Sequence, residues 1–597
     1  MDGGLCYKQI VEGSKRQLAR LIRGATGEIK ADLIVTGGKI INVYSGEILD
    51  RVDIAVLDGR ICYLGPSAKH TKGDTTEILD ARGFYVSPGF MDAHTHIAHY
   101  CRPYEYLQAY LPHGTTALVT SADELATVFG YQGVKLFLDE VAAHPLRVYS
   151  LISMVAPQDP LLCSTKSLSQ AEVADGLTDP RVLGLGEMVS WLRLLQCDPE
   201  LLERIEMAHQ RRKIIHGHTA GARDQKLCAL GAIGVSSCHE PIRQEDAIER
   251  LRLGYWTMLR EGSLRQDLGS TLKPLIERGI NLQRLILVTD SMAPDDVETF
   301  GHIDHVVRRA ICLGMSPLQA IQTVTLNPAT YSGLEQEIGG VAPGRSADLA
   351  FIDDLEQCHV HTVLIGGKIV AKNGASAVET QPIPLRPELM ENLARPTVTP
   401  AVLKIPYAVA SAKVRVMELI NQTITAERFM TVNTHAGALE ANIHEDLLKV
   451  AVFDRHVRSG KISMGFLKGW GVKLGAVGTT TNLDENTLMV VGGNDADMAL
   501  CANALIECGG GMAVVDRNQV LEKIEFGFAG IFSLDPWRQV GKQLSALQRR
   551  LRENGSMFDR PMYALSFLTF VTLPSLRITA RGLVSAKERK IVPLVVE

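Results

Sequence analysis

The stretch Val86-Ser87-Pro88-Gly89-Phe90-Met91-Asp92-Ala93-His94-Thr95-His96 decides how the chain is read. An apolar, strand-like approach is interrupted by Pro-Gly, resumes, and ends in two histidines at i and i+2. On a strand those positions face the same side. Two imidazoles on one side can grip one metal ion, because neutral imidazole is a common metal ligand. Such a pair gains meaning when more ligands follow at the ends of later strands.

Working outward, residues 84 to about 340 alternate short apolar strands with helical stretches. The strands are Ala117-Leu118-Val119-Thr120, Val148-Tyr149-Ser150-Leu151-Ile152, Val182-Leu183-Gly184-Leu185, Lys213-Ile214-Ile215-His216, Gly234-Val235-Ser236-Ser237 and Leu285-Ile286-Leu287-Val288-Thr289. Strand–helix repetition over about 250 residues predicts an α/β fold of the (β/α)8 TIM-like barrel type. Functional residues of such a barrel sit at strand C-termini.

Residues 32–85 have period-two texture, with a hairpin signal at Asp58-Gly59. The same texture returns at Ala347 to Ile352 and at Val363 to Val370. The barrel is therefore expected to be inserted into a small β-sandwich module. Ahead of it, residues Gly13 to Gly24 predict a short helix with a capping box from Ser14 to Gln17. The Pro-rich stretch Gln381 to Pro387, followed by Pro396 to Pro400, predicts a linker. The expected division is 1–85 for the helix and first part of the β module, 86–340 for the barrel, 341–395 for the second part and linker, and 396–597 for a C-terminal α/β domain. Within the last, Asp497 to Glu507 reads as a helix. Gly509-Gly510-Gly511 ends it without the Gly-Lys-Ser/Thr of a phosphate loop.

Composition bounds the function. Of 597 residues, 46% are hydrophobic and 22% charged, an ordinary globular mix. Lys+Arg is 62 and Asp+Glu 67, a net charge of −5, which gives no electrostatic case for nucleic acid or an anionic membrane. Eleven cysteines without a Cys-x-x-Cys pair argue against a zinc ribbon or a secreted disulfide scaffold. No secretion signal opens the chain and no apolar run reaches about 18 residues, so a cytoplasmic protein is expected.

Four more candidates end apolar strands: Glu187, His218, His239 and Asp290. With His94 and His96 they make four histidines and two carboxylates at strand ends of one barrel. Six N/O ligands exceed what one tetrahedral ion needs and suit two divalent cations, Mn, Fe or Zn. Such coordination brings the pKa of water from about 15.7 toward ~7, giving a nucleophile at neutral pH. Asp290 is the candidate to take the water proton and pass it to a leaving nitrogen. A second His-x-His, His359-Val360-His361, lies in the returning β module and reads as an ordinary surface strand.

The chain resembles the amidohydrolase superfamily, and within it the bacterial adenine deaminase family. General marks are Pro88 to His96, Asn327-Pro328-Ala329 and Ile338 to Leu349. More specific are Gly184-Leu185-Gly186-Glu187-Met188, Gly217-His218-Thr219-Ala220-Gly221, Cys238-His239-Glu240, Leu259-Arg260-Glu261-Gly262-Ser263, Gly469 to Ala476 and Val491 to Ala499. The resemblance implies hydrolytic deamination of a 6-aminopurine base, adenine to hypoxanthine plus ammonia, or of an N6-substituted adenine. It implies that Glu187 takes the bridging-ligand position and shares the catalytic work with Asp290. Asp123, Glu124, Ser291 and Glu240 are the implied substrate-binding positions.

Departures from the family pattern fall around that centre. Ser121-Ala122-Asp123-Glu124 stands where Asp-Pro-His-Glu is usual, Asp290-Ser291 where two acids are usual, Cys238-His239-Glu240 where Asp-His-Glu is usual, His216-Gly217-His218 where Asp-Gly-His is usual, and, in the C-terminal unit, Glu485-Asn486 where Ser-His-Asn is usual. The substituted positions Asp123, Cys238 and Ser291 are expected to shape the pocket and to decide the substrate. The alternatives are an amidohydrolase for another ring amine, cyclic amide or N-acyl compound, and a catalytically dead relative acting as a binding protein. The expected partner is a small purine-like molecule, and a homo-oligomer, a dimer, is the expected assembly. The C-terminal unit is expected either to close over the barrel mouth or to form a dimer contact.

Overall fold

The structure, a computed structural model, describes residues 3–390, 393, 396–456 and 461–596, and the side chains from residue 15 onward except that of 388. Eight parallel strands form the barrel: β1 (Phe90–Asp92), β2 (Thr115–Ser121), β3 (Arg147–Ile152), β4 (Val182–Met188), β5 (Ile214–Gly217), β6 (Ser237–Cys238), β7 (Trp256–Arg260) and β8 (Leu285–Val288). They run as two arcs, β5-β4-β3-β2-β1 and β6-β7-β8. A parallel bridge between Ile215 and Val235 joins β5 to the approach of β6. The Asp290 amide donating to the His94 carbonyl at 3.0 Å joins the end of β8 to the end of β1. All seven residues of β2, Thr-Thr-Ala-Leu-Val-Thr-Ser, are buried, as expected for a strand covered by side chains inside and by helices outside. Met91, Ala117, Val119, Leu151, Met258, Ile286 and Val288 fill the barrel interior.

The β module has two sheets. In one, Tyr85–Pro88 pairs antiparallel with Leu349–Asp354 and parallel with Lys39–Asn42, so the two chain segments flanking the barrel share a sheet. In the other, Asp53–Leu57 and Arg60–Gly65 form a hairpin around Asp58 (φ 52°) and Gly59 (φ 77°). Both turn residues are left-handed, which is why Asp-Gly marks this turn. Residues Gly3–Thr26 form one helix. This corrects the expected start at Gly13: Ser14 lies inside the helix, so its backbone amide is already part of the helical ladder and no cap is needed there.

The C-terminal domain is built on a ten-stranded sheet between Ile405 and Glu525, with helix Asp495–Glu507 packed on it. It is bound to the barrel by buried polar contacts. Arg560 grips Asp295 at 2.9 Å and also engages Asp296. Glu485 accepts from the Ser164 amide at 2.8 Å. Among the described residues no helix is long and apolar enough to cross a membrane.

Candidate metal centre and cavity

All six sequence-expected ligands converge at the C-terminal mouth of the barrel. Glu187, at the end of β4, is the hub. Its Oε1 lies 3.0 Å from His96 Nε2 and 3.6 Å from His94 Nε2. Its Oε2 lies 2.8 Å from His218 Nδ1 and 3.3 Å from His239 Nε2. One carboxylate thus faces two histidine pairs, one pair per oxygen. Asp290 Oδ1 sits 3.0 Å from His94 Nε2 and 3.6 Å from His96 Nε2. Within the cluster the triads His94–His96–Glu187 and Glu187–His218–His239 each have ligand atoms within 4.8 Å of one another.

The donor set fits divalent cations. His218 Nδ1 and His239 Nε2 are 3.0 Å apart and meet the same carboxylate oxygen, so more lone pairs converge than protons can serve. The cluster also demands positive charge. Burial opposes a proton on His239, yet the Glu187 carboxylate outweighs burial and lifts the imidazole to about 10. His96 is raised in the same way, by Asp290 and Glu187 against burial. Burial alone would raise Asp290, but the imidazoles of His94 and His96 and the guanidinium of Arg260 hold it well below the usual carboxylate range.

The supports are equally buried. Asp92, at the end of β1, accepts from the His94 amide at 3.2 Å and from Thr289 Oγ1 at 2.6 Å, tying the first ligand strand to β8. Arg260, at the end of β7 and 2% exposed, donates to Asp290 Oδ2 at 3.0 Å and to Asp267 at 2.9 Å, and also pairs with Glu240. Asp290 (φ 54°) and Ser291 (φ 110°) are both non-glycine residues at positive φ. Such backbone costs on the order of 1–3 kcal/mol per residue and persists where surrounding contacts enforce it.

A cavity of about 1080 Å³, open to solvent, stands over the cluster. Asp123, Glu124, Ser291 and Glu240, the four implied substrate positions, all line it. Cys238 does not, which corrects the expectation that it shapes the pocket. Its neighbour His239 turns inward, so strand alternation turns Cys238 away. There it is fully buried and accepts from the Glu240 amide at 3.3 Å.

Sequence reasoning missed several lining residues. His99 donates to or accepts from Ser291 Oγ at 3.1 Å. The C-terminal domain supplies Asn482, Asp484, Tyr563, Phe567 and Phe570, so it closes over the barrel mouth. His216, which stands where the family has Asp before Gly-His, lies under the cluster, with its ring centroid 4.8 Å from that of His94 and its Nδ1 2.8 Å from Tyr331 Oη. The second His-x-His is apart from all this: His359 is exposed on the β module and paired with Asp353 at 2.8 Å.

Comparison with known proteins gives the class first. Residues 85–370 match the amidohydrolase family, whose members are metal-dependent, and the barrel with its His/Glu/Asp cluster is an amidohydrolase barrel. Residues 422–590 match the adenine deaminase C-terminal domain. The chain is 39% identical over 594 residues to the adenine deaminase of Moorella thermoacetica, covering 98% of this chain and 99% of that one. It is 35% identical over 580 residues to the adenine deaminase of Cenarchaeum symbiosum, covering 97% and 95%. A solved β-aspartyl dipeptidase from Fervidobacterium islandicum aligns at 16% identity and a TM-score of 0.46, covering 58% of this chain and 98% of that one. The chain belongs to the adenine deaminase family of amidohydrolases.

Proposed function

We propose that the chain hydrolyses a 6-aminopurine base, converting adenine and water to hypoxanthine and ammonia. The observation that carries this reading is the split of Glu187 between two histidine pairs, beneath a cavity capped by the adenine deaminase-type domain. His94 and His96 with one oxygen of Glu187, and His218 and His239 with the other, are the ligands for two divalent ions, with Asp290 as the sixth. Manganese, iron or zinc suits this N/O set. Bound there, such ions lower the pKa of water so that hydroxide is available at neutral pH.

The chain's own residues do the rest. Asp290, kept ionised by His94, His96 and Arg260, takes a proton from the attacking water and returns it to the departing amino nitrogen. Oxygen adds at C6, the C6–N6 bond breaks, and ammonia leaves. Glu124, beside the cluster at 3.8 Å from His96, and Ser291, 3.1 Å from His99, would hydrogen-bond the ring. Glu240 faces the base while its pairing with Arg260 keeps it anionic. A cytoplasmic location fits the ten described cysteines, all free thiols.

The test is direct. Protein loaded separately with manganese, iron and zinc is incubated with adenine, and both ammonia and the purine spectrum are followed. Turnover in the ordinary range of ~1–10³ s⁻¹ is expected with at least one metal. A fully metallated, folded protein that releases no ammonia from adenine or an N6-substituted adenine refutes the reading. Ammonia from a different ring amine would move the assignment to that substrate.

A further inference from the structure

The cavity has an acidic surface that the hydrolytic centre does not use. Asp123 and Glu124 open the helix that follows β2, and Asp484 comes from the C-terminal domain. They are 9%, 6% and 8% exposed. Each keeps one carboxyl oxygen, Asp123 Oδ1, Glu124 Oε2 and Asp484 Oδ2, enclosed and without a hydrogen-bond partner. The other oxygen of Asp123 accepts from Ser121, and one oxygen of Glu124 lies 3.8 Å from both His96 and His99. Asp484 has no such anchor among the described hydrogen bonds. It lines the cavity from a left-handed backbone position (φ 71°).

A buried acceptor left without a donor is destabilising. An occupant of this surface must therefore bring donors. The metal-ligand groupings among the described residues include neither Asp123 nor Asp484, so a further cation is not what their spacing suits. Burial, reinforced by the negative charge of Glu187 and Glu124, lifts Asp123 to about 7, and the hydroxyls of Ser121 and Ser153 only partly offset this. Burial and the charge of Asp123 push Asp484 upward as well. Both carboxyls line the same cavity and the charge of one acts on the other; two carboxyls coupled in this way can share a proton, which adds one O–H donor to a set of acceptors.

A 6-aminopurine base carries two kinds of N–H. The amino group must face the His/Glu cluster to be displaced. The imidazole N–H remains, flanked across one carbon by a ring nitrogen that accepts. We propose that Asp123 and Asp484, one from each domain, form a carboxyl pair that holds the imidazole N–H edge of the substrate and so selects free bases over bases substituted at that nitrogen. This rests on the adenine-type reading above. A substituent on the nitrogen removes the donor and leaves the acids unpaired. Sites built to hydrogen-bond a group discriminate against analogues lacking it by up to ~10⁴–10⁵.

The experiment compares adenine with 9-methyladenine, whose amino group is unchanged, on the metal-loaded full chain. Wild type is expected to prefer adenine in kcat/KM by at least ~10³. Asp484→Leu should lose ~10² or more on adenine, mainly in KM with kcat within about tenfold, while 9-methyladenine does not fall, so that the preference shrinks by about the same factor. Asp484→Asn, which keeps an acceptor and a donor, should retain most of the preference. Asp484→Ser serves if the leucine variant does not fold. Equal losses on both substrates, or an unchanged preference, overturn the proposal. If wild type releases no ammonia from adenine, the functional reading fails by itself. The pair is then read from equilibrium binding of the two compounds: a wild-type preference abolished in Asp484→Leu supports it, and no preference in wild type overturns it.

Discussion

Replacing Arg260 by methionine should weaken the molecule and its chemistry together. The guanidinium is 2% exposed and shared by Asp290 at 3.0 Å, Asp267 at 2.9 Å and Glu240. At 3.0 Å, with an effective dielectric of 20, its attraction for Asp290 alone is about 5.5 kcal/mol. Much of that offsets the desolvation of the two groups, so the loss on deletion is the cost of leaving buried carboxylates unpaired, about 3–5 kcal/mol. Urea unfolding at pH 7 should show this as a lower midpoint at unchanged slope. The sign with pH follows from Asp290, whose folded pKa is depressed. Its contribution is present above the unfolded value near 3.9 and fades as pH falls further, so the deficit should persist from about pH 5 to 8 and shrink below about pH 4. Without Arg260 the proton affinity of Asp290 rises, so the acid limb of kcat/KM should move to higher pH. Arg260→Lys should recover part of both effects, because it restores charge but not the fork that spans three carboxylates. A variant within 1 kcal/mol of wild type, with the same acid limb, would show that this network neither stabilises the barrel mouth nor tunes Asp290.

Three further outcomes are expected. Chelation should abolish ammonia release and lower Tm, and re-addition of a divalent metal should restore both; full activity in demonstrably metal-free protein would sink the hydrolytic assignment. Asp123 is held at about 7 against about 3.9 in the unfolded chain, so its contribution is favourable below pH 4 and is lost as pH rises through 7. Asp123→Asn should therefore gain stability relative to wild type between pH 4 and pH 8, by up to about 4 kcal/mol in denaturant titrations, while kcat/KM falls. The double variant His359→Ala/His361→Ala should leave metal content and kcat/KM unchanged, since His359 is exposed and paired only with Asp353.

The barrel was legible because its strands are short apolar runs, buried on both faces, each ending in a polar group. β7 is harder to see: Trp256-Thr257-Met258-Leu259-Arg260 mixes a buried threonine and a buried arginine into the strand, and the arginine is paired only with carboxylates brought to it by the fold. The ligands His94, His96, Glu187, His218, His239 and Asp290 could be picked out because each sits where a strand stops. Cys238 was misjudged by ignoring alternation next to His239. The start of the first helix escaped because residues 3–13 carry no capping signal. The roof of the cavity could not be read locally. Asp484, Tyr563 and Phe570 are far from the barrel in sequence and reach it only through docking of a separate sheet, held by contacts such as Arg560 to Asp295.

That roof also sets an order in time. The last ligand, Asp290, leaves the ribosome roughly 280 residues before Phe570, which lines the cavity with its ring centroid 5.9 Å from that of His218. At about 5–20 residues per second, the barrel has on the order of 15–55 s in which its ligand cluster can form and take up metal before the covering domain is complete. During that interval the cluster opens to bulk solvent and to whatever ions the cell supplies. Afterwards ions and substrate share one entrance. Metal loading is thus easiest for the nascent chain, and exchange in the finished protein should be the slower process.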